Sequence, residues 1–176
     1  MSLIADARPV WDRFVRLFHW TLVTCVAVNY FVLDDGKTWH QWVGYLAVAL
    51  VAARIVWGFI GSRYARFANF FPTPARLRRH IGQLRAGRPE MHRGHNPLGA
   101  LMILALISVV LGLGVTGWMQ TLDAYWGDEL LQDVHEVLSN VLIGLATLHA
   151  ASALVMGRLE RTRLIRAMFT GVKERF

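Results

Sequence analysis

The sequence predicts an all-α integral membrane protein, a bundle of four helices. Of its 176 residues, 55% are hydrophobic, and the mean hydropathy of +0.36 lies outside the range of an ordinary soluble domain. A membrane span needs about 20 mainly apolar residues. Four stretches qualify, at approximately residues 14–33, 40–60, 98–121 and 130–157. They leave no room for a second folded core, so we expect one membrane domain over residues 1–176.

The charge distribution predicts how the bundle is oriented. Eight arginines lie in the connection 61–97 and six Lys or Arg residues follow span four, whereas the other two connections carry Lys37 alone among their basic residues. An excess of Lys and Arg marks the cytoplasmic side, so we expect this loop and both termini to be cytoplasmic. The acidic residues of the other connections are Asp34, Asp35, Asp123, Asp128, Glu129 and Asp133.

A net charge of +7 and a pI near 10.5 are also typical of nucleic-acid-binding proteins. Here the basic residues follow the topology, so we expect membrane lipid, through its anionic headgroups, as their partner and no nucleic acid. The first apolar run begins late and has full span length, so we expect no cleavable signal peptide.

The ends of the first two spans carry interface signals. Span one begins among aromatic residues, which are enriched at membrane–water interfaces, and it ends at the turn 34–36. Trp39 and Trp42 bracket the start of span two.

The long loop and the tail contain helical patterns of their own. Thr73 is a suitable N-cap with Pro74 at the first helical position. Apolar residues then recur at helical spacing among arginines until Gly87. The tail after Gly157 has a similar pattern, so we expect basic amphipathic helices on the inner leaflet at both places. A solvated loop is the alternative.

Four histidines lie inside the predicted spans: His19, His40, His135 and His149. An ionisable side chain at membrane depth is costly and is usually functional. His135 and His149 are fourteen residues apart on span four, which is a rise of about 21 Å and within roughly 40° of whole turns. Their rings therefore point the same way at different depths.

Depth predicts how the histidines pair. His19 lies near the cytoplasmic end of span one, and His149 lies at a similar depth on span four. His40 and His135 both lie near the outer ends of their spans. We expect His19 to face His149, the first pair, and His40 to face His135, the second pair.

Two opposed imidazoles suit haem iron better than zinc. Zinc takes four protein ligands, or three with an open position, and Glu136 beside His135 projects from a different face. Haem supplies four nitrogens itself, so two histidines complete its coordination and favour electron transfer over oxygen chemistry. There is no Cys-x-x-Cys-His motif, so we expect two non-covalent b haems with bis-histidine ligation.

Small residues near the histidines predict space for flat macrocycles. Ser139, Leu142 and Ala146 lie between the two histidines of span four, and Gly44 is one turn after His40. Three glycines thin span three, at positions 112, 114 and 117. For these glycines, close helix packing is an equal alternative.

Two arginines are candidates to bind haem propionates. Arg54 lies at the depth of the first pair, and Arg16 is one turn outside His19. A carboxylate beside a buried guanidinium satisfies both charges. The alternatives are snorkelling of Arg54 to the headgroups and a simple interfacial charge for Arg16. We expect the loop residues His80, His92 and His95 to be at the surface or in contact with headgroups.

Several segments resemble the prokaryotic cytochrome b561 family, which includes cytochrome b subunits similar to those of nickel–iron hydrogenases. These segments are Arg-Leu-Phe-His-Trp at 16–20, His-Gln-Trp-Val-Gly at 40–44, Gly-His-Asn-Pro-Leu-Gly-Ala at 94–100 and Asp-Val-His-Glu at 133–136, with His149 downstream. The resemblance implies a four-helix bundle with two b haems in the bacterial inner membrane. By position, it implies that His19, His40, His135 and His149 are the iron ligands.

These observations predict a di-haem cytochrome that moves electrons between the two sides of the inner membrane. The resemblance implies exchange with the quinone pool and a redox partner protein. The acidic outer residues would suit a basic periplasmic c-type cytochrome, and an ordinary solvated rim is an equal alternative for them. The alternative is a quinone-linked oxidoreductase acting on superoxide or another small oxidant. A metal-ion transporter is a third hypothesis.

Overall fold

Helices dominate the computed structural model, which describes residues 10–87 and 94–174. They are α1 (Arg13–Phe31), α2 (Thr38–Ile60), α3 (Phe67–Phe70), α4 (Pro74–Arg85), α5 (Pro97–Met119), α6 (Glu129–Leu159) and α7 (Leu164–Thr170). Four of them, α1, α2, α5 and α6, are long and apolar enough to cross a membrane. No strand occurs within these described ranges. The predicted all-α membrane bundle is confirmed.

Side-chain caps define where three of the long helices begin. The side chains of Asp12, Asn96 and Asp128 each accept a hydrogen bond from a backbone N–H in the first turn of α1, α5 and α6. Such caps satisfy amide groups that have no partner within the helix. The 31 residues of α6 extend over about 46 Å, whereas the hydrocarbon core of a bilayer is about 30 Å thick. This helix therefore reaches beyond the apolar layer.

The four long helices pack in sequence around a small apolar core. The close pairs are α1 with α2, α2 with α5, and α5 with α6. The buried residues of this core are Cys25, Ala47, Val51, Val110 and Leu142. A Cβ on Gly114 would meet the Val48 side chain at 2.4 Å, so glycine is required for the close approach of α5 to α2. α6 also reaches α1 through the hydrogen bond that Tyr30 donates to Asn140.

We call the two ends of the bundle the basic end and the acidic end. The basic end holds the start of α1, the end of α2, and α3, α4 and α7. The acidic end holds the turns 32–37 and 120–128. A second apolar cluster at the basic end comprises Val10, Trp11, Val15, Ala65 and Ala167. This cluster joins the beginning of the described chain to its tail.

The predicted helices of the loop and tail are both present. Thr73 caps α4, Pro74 is its first residue, and Gly87 follows it with a φ of +66°. The tail helix α7 does not lie alone, because Val10 and Trp11 both donate backbone hydrogen bonds to the carbonyl of Gly171. The indole of Trp20 stacks on Phe169, with ring centroids 4.4 Å apart. The tail is therefore folded back onto α1.

Asp12 ties α1 to the end of α2. Its carboxylate accepts hydrogen bonds from the backbone N–H of Val15, from Nε1 of Trp57 at 3.0 Å and from the hydroxyl of Ser62. Burial raises the pKa of this carboxyl, but the three hydrogen bonds and the nearby Arg54 outweigh burial and leave the pKa below its ordinary value. The ionised form of Asp12 therefore stabilises this end of the bundle.

Candidate functional site

The structure brings the four intramembrane histidines together as two facing pairs. The rings of His19 on α1 and His149 on α6 have centroids 6.4 Å apart, with an angle of 55° between their planes. The rings of His40 on α2 and His135 on α6 have centroids 6.3 Å apart, with an angle of 60°. These are the pairs that depth predicts: the first pair lies toward the basic end and the second toward the acidic end.

The spacing within each pair fits one metal ion between two imidazoles. A metal–imidazole bond is about 2.0 Å long and the ring centre lies roughly 1.1 Å behind the bonded nitrogen, so opposed ligands have centroids about 6.2 Å apart. Both measured distances agree with this value. Among the described residues, no group of three or more His, Cys, Asp or Glu side chains could hold a metal ion alone. Glu136, adjacent to His135, is exposed. The donor set fits a metal that brings its own equatorial ligands, as haem does.

Two arginines, Arg54 (buried) and Arg16 (half-buried), lie at the basic end of the bundle, toward which the first pair also lies. Arg54 is 3% exposed and donates from Nη2 to the carbonyl of Ala65 at 3.1 Å, and its guanidinium lies 5.2 Å from the ring centre of Phe67. Arg16 donates from Nη1 to the carbonyl of Phe169. In the described part of the chain, Nη1 of Arg54 and Nε of Arg16 are buried and have no hydrogen-bond partner. Each arginine therefore retains a donor for an anionic group.

The prediction that the loop histidines lie at the surface or contact headgroups is wrong for His80, whereas His95 is half-buried. His80 on α4 is only 1% exposed. His95 packs between Trp11 and Phe70, with ring centroids 4.4 and 5.1 Å away. Burial, followed by the charges of Lys173 and Arg54, lowers the pKa of His95 to about 3. His92 lies outside the described residues.

His95 lies at the basic end, two residues before α5 begins. The lowered pKa means that this ring gives up its second proton well below neutral pH. Its neutral form is therefore the stable one at physiological pH. The sequence contains no local signal of this packing, because Trp11, whose ring contacts His95, is 84 positions away in the chain.

Three further polar side chains contact the histidines or their helices. Thr116 on α5 places Oγ1 2.8 Å from Nδ1 of His135. Asn29 on α1 donates to the backbone carbonyl of His40 at 3.2 Å. Trp20 meets the ring of His19 edge-on and donates to the carbonyl of Met168. Sequence reasoning missed the roles of Thr116 and Asn29, because both contacts cross between helices.

The glycines at 112 and 114 of α5 allow close helix packing and do not leave space for a macrocycle. Gly112 faces Leu138 on α6, and Gly114 faces α2. Gly117 differs, because a Cβ there would lie 3.2 Å from Cε1 of His135. Gly44 faces only the Asn29 amide, at an ordinary contact distance of 3.6 Å. Leu142, predicted to leave space between the histidines of α6, lies instead in the central core.

A bundle of membrane-spanning helices that opposes histidines across its interior has the architecture of the b-type membrane cytochromes. The chain belongs to the prokaryotic cytochrome b561 family, whose model matches residues 10–171. It is therefore a b-type cytochrome of a bacterial membrane that takes part in electron transfer, and haem b is the cofactor that its family implies.

Two curated relatives give a more distant comparison. They are described as the probable Ni/Fe-hydrogenase 1 B-type cytochrome subunits of Escherichia coli K12 and Escherichia coli O157:H7. Each is 25% identical over 138 residues, which cover 62% of this chain. The chain spans 58% of the length of these relatives. No solved structure gives a significant match.

Proposed function

We propose that this cytochrome holds two b haems and carries electrons between the two sides of the bacterial inner membrane. His19 and His149 would bind one haem, and His40 and His135 the other. The observation that carries the proposal is the centroid distance within each pair, 6.4 and 6.3 Å. Haem bound there would supply a one-electron Fe(III)/Fe(II) couple.

Arg16 and Arg54 are proposed to bind the propionates of the haem at the first pair. Each already donates one hydrogen bond to a backbone carbonyl, which holds the guanidinium in place. Each also has a buried nitrogen, Nε of Arg16 and Nη1 of Arg54, without a partner among the described residues. A carboxylate is the acceptor that best offsets the cost of burying such a cation.

Within each proposed site, the protein fixes the positions of the two rings through the helices that carry them. α6 supplies one ring to each site, so the same rigid helix supports His135 and His149. Between the two levels lies the apolar core that includes Val51 and Leu142. This core separates the sites by packed side chains rather than by a polar channel.

The proposed partners are the quinone pool and a redox protein. The two relatives are described as cytochrome subunits of a hydrogenase, which supports a membrane-associated redox enzyme as the partner here. Exposed carboxylates at the acidic end, among them Asp34, Asp35 and Glu129, would steer a basic periplasmic c-type cytochrome toward the second pair. They would disfavour superoxide, an anion, as the substrate.

Haem stoichiometry tests the central claim. The pyridine haemochrome of the purified protein should report two b haems per chain, and a redox titration should resolve two one-electron waves. A single haem per chain would refute the di-haem proposal, and a colourless protein would favour the metal-ion transporter. Stopped-flow mixing with superoxide should leave the oxidised haems unreduced. Haem reduction by superoxide would instead support the oxidoreductase alternative.

Labelling of introduced cysteines tests the proposed orientation. Cys25 is the only cysteine in the sequence and is buried, so it gives a low background. Asp123 at the acidic end and Arg85 at the basic end are both exposed. In cells with a permeabilised outer membrane, a maleimide that cannot cross the inner membrane should label Asp123→Cys and not Arg85→Cys. The reverse pattern would invert the proposed topology.

A further inference from the structure

α5 carries no histidine, yet two adjacent residues near its acidic end lie against the ring of His135. Oγ1 of Thr116 is 2.8 Å from Nδ1 of this ring. A Cβ on the next residue, Gly117, would lie 3.2 Å from Cε1, so glycine lets the ring approach the helix. α5 therefore lies against two adjacent ring atoms of His135, Nδ1 and Cε1.

The hydroxyl of Thr116 has one proton and several neighbours. Its oxygen lies 2.9 Å from the carbonyl of Gly112 and 3.3 Å from that of Leu113. A helical threonine commonly donates its proton to a carbonyl one turn back. The lone pairs of Oγ1 then accept from Nδ1–H of His135. This arrangement gives both the hydroxyl proton and the ring N–H an acceptor, as buried polar groups require.

The arrangement selects one tautomer of His135. With the proton on Nδ1, the neutral ring has its lone pair on Nε2. No hydrogen bond reaches Nε2 within the described residues, so this nitrogen remains available as a ligand. Two of the other histidines lack such support: Nδ1 of His19 has no partner in the same ranges, and Nδ1 of His40 is 3.7 Å from Asp35, beyond hydrogen-bond distance.

We propose that Thr116 is a positioning residue that fixes the tautomer and orientation of His135 and thereby lowers the potential of the haem at the second pair. This inference rests on the proposed function. A hydrogen bond accepted from Nδ1–H makes Nε2 a stronger electron donor. Stronger donation stabilises Fe(III) relative to Fe(II), so the midpoint potential falls. The haem at the first pair has no counterpart of Thr116 in the described structure and should be unaffected.

The test uses the purified, haem-loaded protein with three substitutions. Thr116→Val removes the hydroxyl at nearly constant volume, and Thr116→Ser restores it. Thr24→Val is the matched control, because Thr24 on α1 is exposed and its hydroxyl bonds only to the carbonyl of Trp20 in its own helix. The haem content, the two redox waves and the low-spin electron paramagnetic resonance (EPR) signals are measured for each variant.

Thr116→Val should shift one wave upward by about tenfold in the Fe(II)/Fe(III) equilibrium, which is 59 mV for one electron, with a change in one EPR signal. Thr116→Ser and Thr24→Val should match the wild type. Selective loss of one haem in Thr116→Val, with retention in Thr116→Ser, also supports the inference, because loss of a hydrogen bond to a metal ligand weakens binding about 10–100-fold.

The inference is overturned by an unchanged Thr116→Val, by a serine variant that behaves like the valine variant, or by equal changes in both haems. Loss of both haems in Thr116→Val alone would show a general structural role and would also overturn it. A wild-type protein without haem refutes the proposed function itself, so the two failures are distinguishable.

Discussion

Removing one histidine from each pair should remove one haem and leave the other. If the proposed ligation is right, His149→Ala removes one ligand from the first pair and His135→Ala removes one from the second. The two positions are fourteen residues apart on α6, which is about 21 Å. Mutations separated by more than about 7–10 Å are usually independent. We therefore expect haem content to fall from two per chain to one in each variant.

Double variants test the pairing itself. The double variant His19→Ala/His149→Ala removes both histidines of the first pair, so the chain should still hold one haem. The double variant His19→Ala/His135→Ala removes one histidine from each pair, so the chain should hold none. The assay is the pyridine haemochrome, with the low-spin EPR signals identifying the haem that remains. Glu136→Ala, an exposed neighbour of His135 on the same helix, is the control and should keep two haems.

The pairing is refuted if either single variant retains two low-spin haems. It is also refuted if the double variant of the first pair is colourless while each of its single variants holds one haem. If each of the four single histidine variants lost both haems, the two sites would be shown to fold as one unit.

Three further predictions concern the scaffold. Gly114→Ala should destabilise the detergent-solubilised protein by about 1–3 kcal/mol through overpacking against α2, whereas Gly144→Ala, whose Cβ would meet nothing within 4 Å, should not lower the thermal midpoint; equal midpoints would contradict this reasoning. Asp12→Asn should reduce the loss of unfolding stability that the wild type shows as the pH falls into the acid range. Because the pKa of Asp12 is lowered in the folded protein, its stabilisation is present above the ordinary carboxyl pKa and is lost as pH falls through the lower folded value; a variant with the wild-type pH profile would exclude this role. Trp20→Phe removes one hydrogen bond to the tail, worth about 1 kcal/mol, and should speed hydrogen exchange in α7 while leaving α5 unchanged; unaltered exchange in α7 would show that the bond does not hold the tail.

The arrangement of the histidines was predictable because helical geometry is regular. A rise of about 1.5 Å per residue converts position in a span into depth, and depth alone pairs His19 with His149 and His40 with His135. The start of α4 was equally predictable, because Thr73 and Pro74 form a local capping signal that needs no partner elsewhere in the chain.

Contacts between distant segments were not predictable from these patterns. The packing of His95 depends on Trp11 and Phe70, and no sequence pattern near position 95 indicates either contact. The contact between Thr116 and the ring of His135 depends on the rotation of α5 about its axis. A glycine-rich and uniformly apolar sequence leaves that rotation undetermined. The tail helix was identified, but its return to α1 through Gly171 required the folded chain.

The length and continuity of α6 have a mechanical consequence. One ring of each pair is fixed to a single column of backbone hydrogen bonds, whereas the facing rings belong to two different helices, α1 and α2. Lateral motion of α1 or α2 changes the distance between the two facing rings of a pair. It hardly changes the distance along α6 between the first pair and the second. Electron tunnelling falls off steeply with distance, so the step between the two levels would be insulated from the elastic motions of the surrounding lipid.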